Sequence, residues 1–174
     1  IYDPALVDVE ITGYESLWNE ALKDSLVLMD DARNTIGITL KSMGESFNVT
    51  DPDILKAAEE KLLRLKPNIR ALDYNTPHLA MISGEATVGY MFTPGVVWAL
   101  AERPDLQVVY PKEGMGFGID SLFIPVNAPH PLNAHLFLDF ILRPEIGKEI
   151  AELQAYPCVN RASYPLLSEE FKAN

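Results

Sequence analysis

The stretch LVLMDDAR, residues 26–33, contains the pattern that decides the fold. Four consecutive apolar residues, Leu26 to Met29, are typical of a strand that is buried on both faces. Two aspartates follow, and a helical pattern then runs to Met43, with Gly44 placed to end the helix. A buried strand that passes into a helix is the repeating unit of α/β folds. We therefore expect an α/β protein.

The rest of the chain continues this alternation of strands and helices. Asp51 and Pro52 are suitable as the N-cap and first-turn residue of a helix that Pro67 ends. The periodicity predicts further strands at 69–72, 86–92, 106–110 and 116–124. It predicts further helices at 77–83, 96–101, 131–141 and 144–153, and leaves the tail after residue 155 unassigned.

Composition narrows the class of protein. The formal net charge of −11 argues against nucleic acid as a partner, because phosphates would be repelled and no basic patch compensates. The charge is compatible with a cationic ligand, although a solvated acidic surface is the commoner explanation. The longest apolar stretch, Val88 to Leu100, is interrupted by glycine, threonine and proline, so we expect no membrane span. The chain begins with Ile1 and not with Met, which suggests a processed or excised piece.

Residues for catalysis or metal binding do not form a recognisable set. Cys158 is the single cysteine, so no internal disulfide can form, and no Cys/His spacing suggests a metal site. The three histidines fall in separate segments, and neither a hydrolase elbow nor a phosphate-binding loop is present. No enzyme hypothesis therefore rises above background, and we expect neither a metal nor a cofactor.

Two aspartates are candidates for holding a ligand cation. Asp31 follows the predicted strand at 26–29, and ligands of open α/β sheets bind at the carboxyl ends of strands. The same position suits an ordinary helix N-cap, and the two roles can coexist, with one aspartate of the pair Asp30-Asp31 as the cap and the other facing a cleft. Asp120 interrupts the apolar run 117–124, where a buried carboxylate needs a cation, several donors or water. A ligand ammonium or an internal arginine such as Arg33 would meet that need.

Aromatic residues near predicted strand and loop ends could complete such a site. Tyr74, Tyr90, Phe92 and Tyr156 lie there, and aromatic faces with carboxylates suit an alkylammonium ligand through cation–π attraction. We assign Tyr90, like Trp98, to packing. For Phe92 and Tyr156 the sequence does not decide between a role in packing and a role in ligand binding.

Several segments together resemble the spermidine/putrescine-binding proteins of bacterial polyamine ABC transporters. They occur in that family's order and at matching separations across nearly the whole chain. The segments are residues 26–33, 50–52, 110–114, 120–125, 140–144 and 155–157.

The resemblance implies a periplasmic-binding-protein fold of type II, in which a mixed, mostly parallel sheet is flanked by helices. The chain matches the second half of the family. Residues 1–118 correspond to the second α/β lobe. Residues 119–155 correspond to a crossing strand and helices of the first lobe, and residues 156–174 to a hinge return and tail.

The resemblance also implies particular ligand contacts. Asp31 and Asp120 match carboxylates that hold ligand amines, and Tyr156 matches an aromatic residue of the cleft. Phe92 stands where the family often has tryptophan, and Tyr74 lies in a loop that approaches the ligand. Two positions depart from the pattern. Asn34 replaces a glutamate, which removes one negative charge from the cleft, and Gly118 replaces a tryptophan, which leaves one aromatic wall empty. We therefore expect a preference for a shorter diamine or for a different ligand.

The implied function is capture of putrescine or spermidine outside the cytoplasm and delivery to the permease of an ABC transporter. The location would be the periplasm or the extracellular face of the bacterial membrane. A related protein for another small molecule, and a ligand-sensing domain of a receptor or regulator, remain alternatives. We also expect the chain alone to dimerise through apolar surface on its later helices.

Overall fold

Three parallel strands form the sheet around which the first part of the chain folds. In the computed structural model, which describes residues 1–173, they are β1 (Leu26–Leu28), β2 (Ile69–Leu72) and β3 (Val88–Gly89). Their order is β2-β1-β3, so β1 is central and pairs in parallel with both neighbours. Tyr2 adds antiparallel bridges to Val88 and Gln107, which makes the sheet mixed but mostly parallel, as predicted.

The helices follow in the alternation that the sequence predicts. The α-helices are α1 (Ala32–Ser42), α2 (Pro52–Leu65), α3 (Pro77–Ser83), α4 (Thr93–Glu102), α5 (Pro131–Ile141), α6 (Pro144–Gln154) and α7 (Glu169–Ala173). Short 3₁₀ helices lie at Tyr14–Trp18, Glu20–Leu22, Lys66–Asn68 and Tyr164–Leu166.

Local chemistry sets the ends of these helices. The carboxylate of Asp51 accepts hydrogen bonds from the backbone N–H groups of Asp53 (2.9 Å) and Ile54 (3.3 Å), which caps α2 as predicted. Gly44 follows α1 with a φ of 82°, a left-handed conformation that only glycine adopts without strain. The predicted helix stop at Gly44 is therefore confirmed.

The core of the first part lies on both sides of β1. Leu26 and Leu28 pack on one side with Ile38, Leu65 and other apolar residues. Val27 points to the opposite side, into a second cluster. All three strand residues are fully buried, which confirms the prediction that this strand is covered on both faces.

Three predicted strands differ from the structure. The strand predicted at 86–92 is limited to Val88–Gly89, and residues 106–110 contribute one bridge, at Gln107. The run 116–124 forms no strand in the described chain. Alternation of apolar residues specifies which face each side chain takes, but a strand exists only where a neighbour accepts its backbone hydrogen bonds. The described residues place no such neighbour beside 116–124.

A second compact unit begins at Gly118, while Ile1–Phe117 forms the first. Helices α5, α6 and α7 belong to the second unit, in which Ala151, Ser163 and Leu167 are buried. Many of its large apolar side chains are exposed, Phe123 to 82%. None of the described helices combines the length and apolar character that a membrane span requires. The predicted tail, 156–174, ends at Asn174, which lies outside the described residues.

Candidate functional site

The carboxyl ends of the three strands meet at one edge of the sheet. Asp31 lies three residues beyond β1, Tyr74 two residues beyond β2, and Phe92 three residues beyond β3. Because the strands are parallel and β1 is central, groups that follow β2 and β3 flank those that follow β1. This is the edge at which open α/β sheets bind ligands.

Asp31 is held by its own helix. Its Oδ1 accepts a hydrogen bond from the backbone N–H of Asn34 at 2.6 Å and another from the Asn34 side-chain amide, Nδ2, at 2.8 Å. The predicted helix cap is therefore confirmed. Its Oδ2 accepts no hydrogen bond from the described residues, and none of their lysines or arginines forms an ion pair with it. The hydrogen bonds to Oδ1 fix the orientation of the side chain, and Oδ2 can still bind a cation.

Asn34 links this carboxylate to Tyr90. The Tyr90 hydroxyl donates to Asn34 Oδ1 at 3.2 Å, and the Tyr90 ring packs edge-on against Tyr14, with 5.9 Å between ring centroids. Burial raises the pKa of the Tyr90 phenol far above its usual value, and Tyr14 and Asp31 raise it further. The hydroxyl thus stays a donor, which orients the amide so that its N–H group points to Asp31. The predicted packing role of Tyr90 is confirmed by its contact with Tyr14, and the hydrogen bond to Asn34 is a polar role that the sequence pattern does not indicate.

An exposed aromatic pair spans the end of the central strand. Tyr74 and Phe92 contact each other edge-to-face, with 6.1 Å between ring centroids and an interplanar angle of 84°. Tyr74 follows β2 and Phe92 follows β3, and these strands are the two neighbours of β1. The aromatic pair therefore lies across the end of the central strand. Both rings are exposed, so their faces can receive a ligand. The structure therefore brings Tyr74, Phe92, Asp31 and Asn34 to one edge.

Asp73 adds a carboxylate that the sequence analysis did not select. Its Oδ1 accepts from the backbone N–H groups of Asn75 (2.9 Å) and Thr76 (3.0 Å), and Oδ2 accepts from the Thr76 hydroxyl (2.8 Å). The hydrogen bonds from Thr76, backbone first, lower the pKa of Asp73, so the group is ionised at neutral pH. The sequence does contain a signal for Asp73, because the residue comes directly after the predicted strand 69–72. Asp31 was selected because it follows the predicted strand at 26–29 in the same way.

Asp120 and Tyr156 lie in the second unit. The prediction that Asp120 is a carboxylate inside a buried strand is wrong: the residue is exposed, and its segment has no strand partner in the part of the chain that is described. Without burial, water solvates the charge and no internal cation is required. Arg33, the arginine considered as its partner, donates instead to Asn48 Oδ1 at 2.5 Å. Tyr156 is partly exposed and follows Ala155, whose φ is 53°.

The edge around Asp31 has the chemistry of an organic-cation site. A carboxylate oxygen can accept hydrogen bonds from an ammonium group, and aromatic rings attract cations and cover methylene groups. Within residues 1–173, no group of three or more histidine, cysteine, aspartate or glutamate side chains is arranged to hold a metal ion.

Comparison with known proteins relates the chain to one family. The model of the bacterial extracellular solute-binding proteins matches residues 1–174. The spermidine/putrescine-binding periplasmic protein of Salmonella typhimurium is 40% identical over 160 residues, which are 92% of this chain and 46% of that protein. The protein of the same name from Escherichia coli is 38% identical over 160 residues, with the same shares of 92% and 46%. The chain thus spans about half the length of the curated relatives it matches.

A solved structure shows the same fold. A spermidine/putrescine ABC transporter substrate-binding protein from Streptococcus pneumoniae is 30% identical, with a TM-score of 0.76 over 99% of this chain and 54% of that one. The predicted α/β periplasmic-binding-protein fold is therefore confirmed.

The Tyr90 hydroxyl can be tested by replacing Tyr90 with Phe. The substitution removes the hydrogen bond to Asn34 and keeps the ring contact with Tyr14, so we expect the free energy of unfolding to fall by about 1 kcal/mol. Chemical denaturation measures this change. Tyr74→Phe is the matched control, since its exposed hydroxyl has no hydrogen-bond partner among the described residues, and we expect a change below about 0.5 kcal/mol. Equal effects of the two substitutions would contradict the role of Tyr90.

Proposed function

We propose that this chain, which belongs to the bacterial extracellular solute-binding proteins, is part of a protein that captures polyamines for an ABC transporter. The names of its relatives support the proposal, since they are spermidine/putrescine-binding proteins of the periplasm. The protein would act outside the cytoplasm, in the periplasm or at the extracellular face of the membrane. Its ligand would be bound and released without chemical change, so the protein is not an enzyme.

The observation that carries the proposal is the uncompensated oxygen of Asp31 at the sheet edge that also carries the exposed aromatic pair Tyr74 and Phe92. Oδ1 is occupied by the helix cap, and Oδ2 has no cationic partner in the described chain. A primary ammonium group of the ligand would bind Oδ2, while the rings of Tyr74 and Phe92 would cover the adjacent methylene groups. Each charge-assisted contact contributes about 1.5–3 kcal/mol.

Further contacts of the proposed site rest on the resemblance. Asp120 would bind another amine of the ligand, and Tyr156 would cover part of its carbon chain. Residues 1–118 would form the second lobe, residues 119–155 a crossing strand and helices of the first lobe, and residues 156–174 the hinge return and tail. Closure of the two lobes on the ligand would present a new surface to the permease.

Asn34 sets the charge of the proposed site. Its amide is neutral, donates to Asp31 and accepts from Tyr90, so it adds no negative charge at the edge. A triamine brings one more ammonium group than a diamine, and that group needs another carboxylate or water. We therefore propose a preference for putrescine over spermidine.

The role of Asp31 is tested by Asp31→Asn in the full-length protein that contains this chain. Asparagine caps a helix about as well as aspartate, so the fold is expected to persist while the negative charge is lost. We expect putrescine affinity, measured by titration calorimetry, to fall at least about tenfold, the factor that corresponds to roughly 1.4 kcal/mol.

Asp24→Asn is the matched control for the loss of charge. Asp24 precedes β1, at the opposite end of the strand from Asp31, and pairs with Arg70 at 2.8 Å on the surface. Its φ of 54° is tolerated by asparagine. Affinity should change less than about twofold, because an exposed ion pair contributes little. Unchanged affinity in Asp31→Asn, or equal losses in both variants, would refute the proposed contact.

The ligand preference is tested at Asn34. We expect the unmodified full-length protein to bind putrescine more tightly than spermidine, and Asn34→Glu to shift the ratio of the two affinities toward spermidine because it supplies another carboxylate. Asn34→Gln keeps a neutral amide and should keep the preference for putrescine. Calorimetry with both ligands measures the ratio. Tighter spermidine binding by the unmodified protein would contradict the proposal.

Self-association of the chain alone is also proposed, through the apolar face of α5. Its exposed apolar side chains are Leu132, Leu136, Phe137 and Phe140. Surfaces of this kind associate because burial removes apolar area from water. We expect sedimentation velocity to show dimers of the chain, which Leu136→Asp disrupts and Leu63→Asp, at an exposed leucine of α2, does not. A monomer at all concentrations, or equal effects of both substitutions, would contradict this proposal.

A further inference from the structure

The segment 110–114 lies close to the end of the first unit, and the candidate site does not use it. It is one of the segments on which the family resemblance rests. Gly114, with a φ of 84°, donates from its N–H to the Pro111 carbonyl oxygen at 2.9 Å, which closes a tight turn. Glu113 stands inside this turn, and its side chain gives the segment a role.

The Glu113 carboxylate binds the start of the 3₁₀ helix Tyr14–Trp18. Its Oε2 accepts from the backbone N–H of Tyr14 and its Oε1 from that of Glu15, each at 3.1 Å. No lysine or arginine of the described residues forms an ion pair with it. The residue at the cap position of this helix is Gly13, which has no side chain to offer. Glu113 therefore supplies the cap from a distant part of the chain.

Gly13 makes room for that carboxylate. A Cβ atom at residue 13 would overlap the carboxylate of Glu113. The φ of Gly13, 175°, is extended and open to any residue, so the position requires glycine for space and not for its backbone conformation. Next to it, the Lys112 N–H donates to the Thr12 carbonyl oxygen at 3.1 Å. The two segments thus lie side by side, with the carboxylate filling the place of a side chain.

Tyr14 connects this cap to the candidate site. Its side chain is 4% exposed, and its ring packs edge-on against Tyr90. The Tyr90 hydroxyl donates to Asn34, and the Asn34 amide donates to Asp31. A continuous series of contacts therefore runs from Glu113 to the carboxylate at the edge of the sheet.

Phe47 and Gly116 hold the same segment independently of Glu113. The Phe47 ring lies against both Gly37 of α1 and Gly116: a Cβ atom would overlap the ring at Gly37 and would lie 3.0 Å from Cζ at Gly116. The backbone of Gly116 also forms a hydrogen bond with the Tyr14 phenol. Loss of the Glu113 carboxylate is therefore expected to loosen the backbone at Tyr14 without detaching the segment.

We propose that Glu113 is a positioning residue for Asp31. Its carboxylate fixes the backbone that carries the Tyr14 ring, and this ring fixes Tyr90. With Tyr90 held, its hydroxyl keeps the Asn34 amide turned toward Asp31, so that Oδ1 stays occupied and Oδ2 stays open. Glu113 touches no ligand and acts through these side chains.

The side-chain amide of Asn34 reports on this role. Selective ¹⁵N labelling of asparagine in the full-length protein that contains this chain gives its NMR signal, which is identified by its loss in Asn34→Gln. Glu113→Ala should speed exchange of the amide protons with water at least about threefold, because the hydrogen bond to Asp31 opens more often. Gly13→Ala should do the same although Glu113 is unchanged, because the added methyl displaces the carboxylate.

Asp51→Ala is the matched control. It also removes a carboxylate that accepts from two backbone N–H groups of the first unit, at the start of α2. A general loss of stability would affect Asn34 in this variant too, whereas the proposed role leaves its exchange unchanged. The proposal is overturned if either Glu113→Ala or Gly13→Ala folds and keeps slow exchange at Asn34, or if Asp51→Ala speeds it equally.

The consequence for ligand affinity rests on the proposed function. Glu113→Ala should weaken putrescine binding at least about threefold in calorimetry, and this loss should disappear in a Tyr90→Phe background, where the connection is already broken. Additive losses would contradict the positioning role. If the unmodified protein binds no putrescine while Glu113→Ala still speeds exchange at Asn34, the proposed function fails and the positioning role stands.

Discussion

The burial of β1 between two apolar clusters is the constraint on which the rest of the structure depends. Leu26 and Leu28 pack on one side and Val27 on the other, and parallel strands pair with both edges. A shift of one residue would exchange these sides, so the register of β1 is fixed by packing on both faces. The position of every residue that follows the strand is thereby fixed too. The position of Asp31 at the edge of the sheet therefore depends on Leu26, Val27 and Leu28, which are fully buried and lie outside the candidate site.

Asp31 joins stability and recognition in one side chain. Its Oδ1 holds the first turn of α1, and this bond keeps the carboxylate in one orientation. Asn34 and Tyr90 extend the arrangement by hydrogen bonds that also leave Oδ2 uncovered. A carboxylate that is already oriented loses little conformational freedom when a cation arrives. A helix cap can therefore serve as a preorganised binding group.

Local patterns in the sequence predicted the elements that local chemistry determines. The buried run at 26–29, the cap at Asp51 and the stop at Gly44 each depend on neighbours within a few residues, and the structure confirms them. The hydrogen bond from Tyr90 to Asn34 joins residues 56 positions apart, and no periodicity indicates it. The run 116–124 has the alternation of a strand, but alternation does not supply a pairing partner. Asp120 was therefore predicted in the wrong environment, although Tyr74 and Phe92 were correctly placed beside strand ends.

The carboxyl ends of the strands carry negative charge that no lysine or arginine of the described residues pairs with. Asp31 forms no ion pair there, and Asp73 accepts its hydrogen bonds from the neutral groups of Asn75 and Thr76. At the opposite end of β1, by contrast, Asp24 is paired with Arg70. A small polycation diffusing nearby would therefore be attracted to the acidic edge before any contact forms. This attraction acts over distances limited by the ionic strength of the surrounding medium.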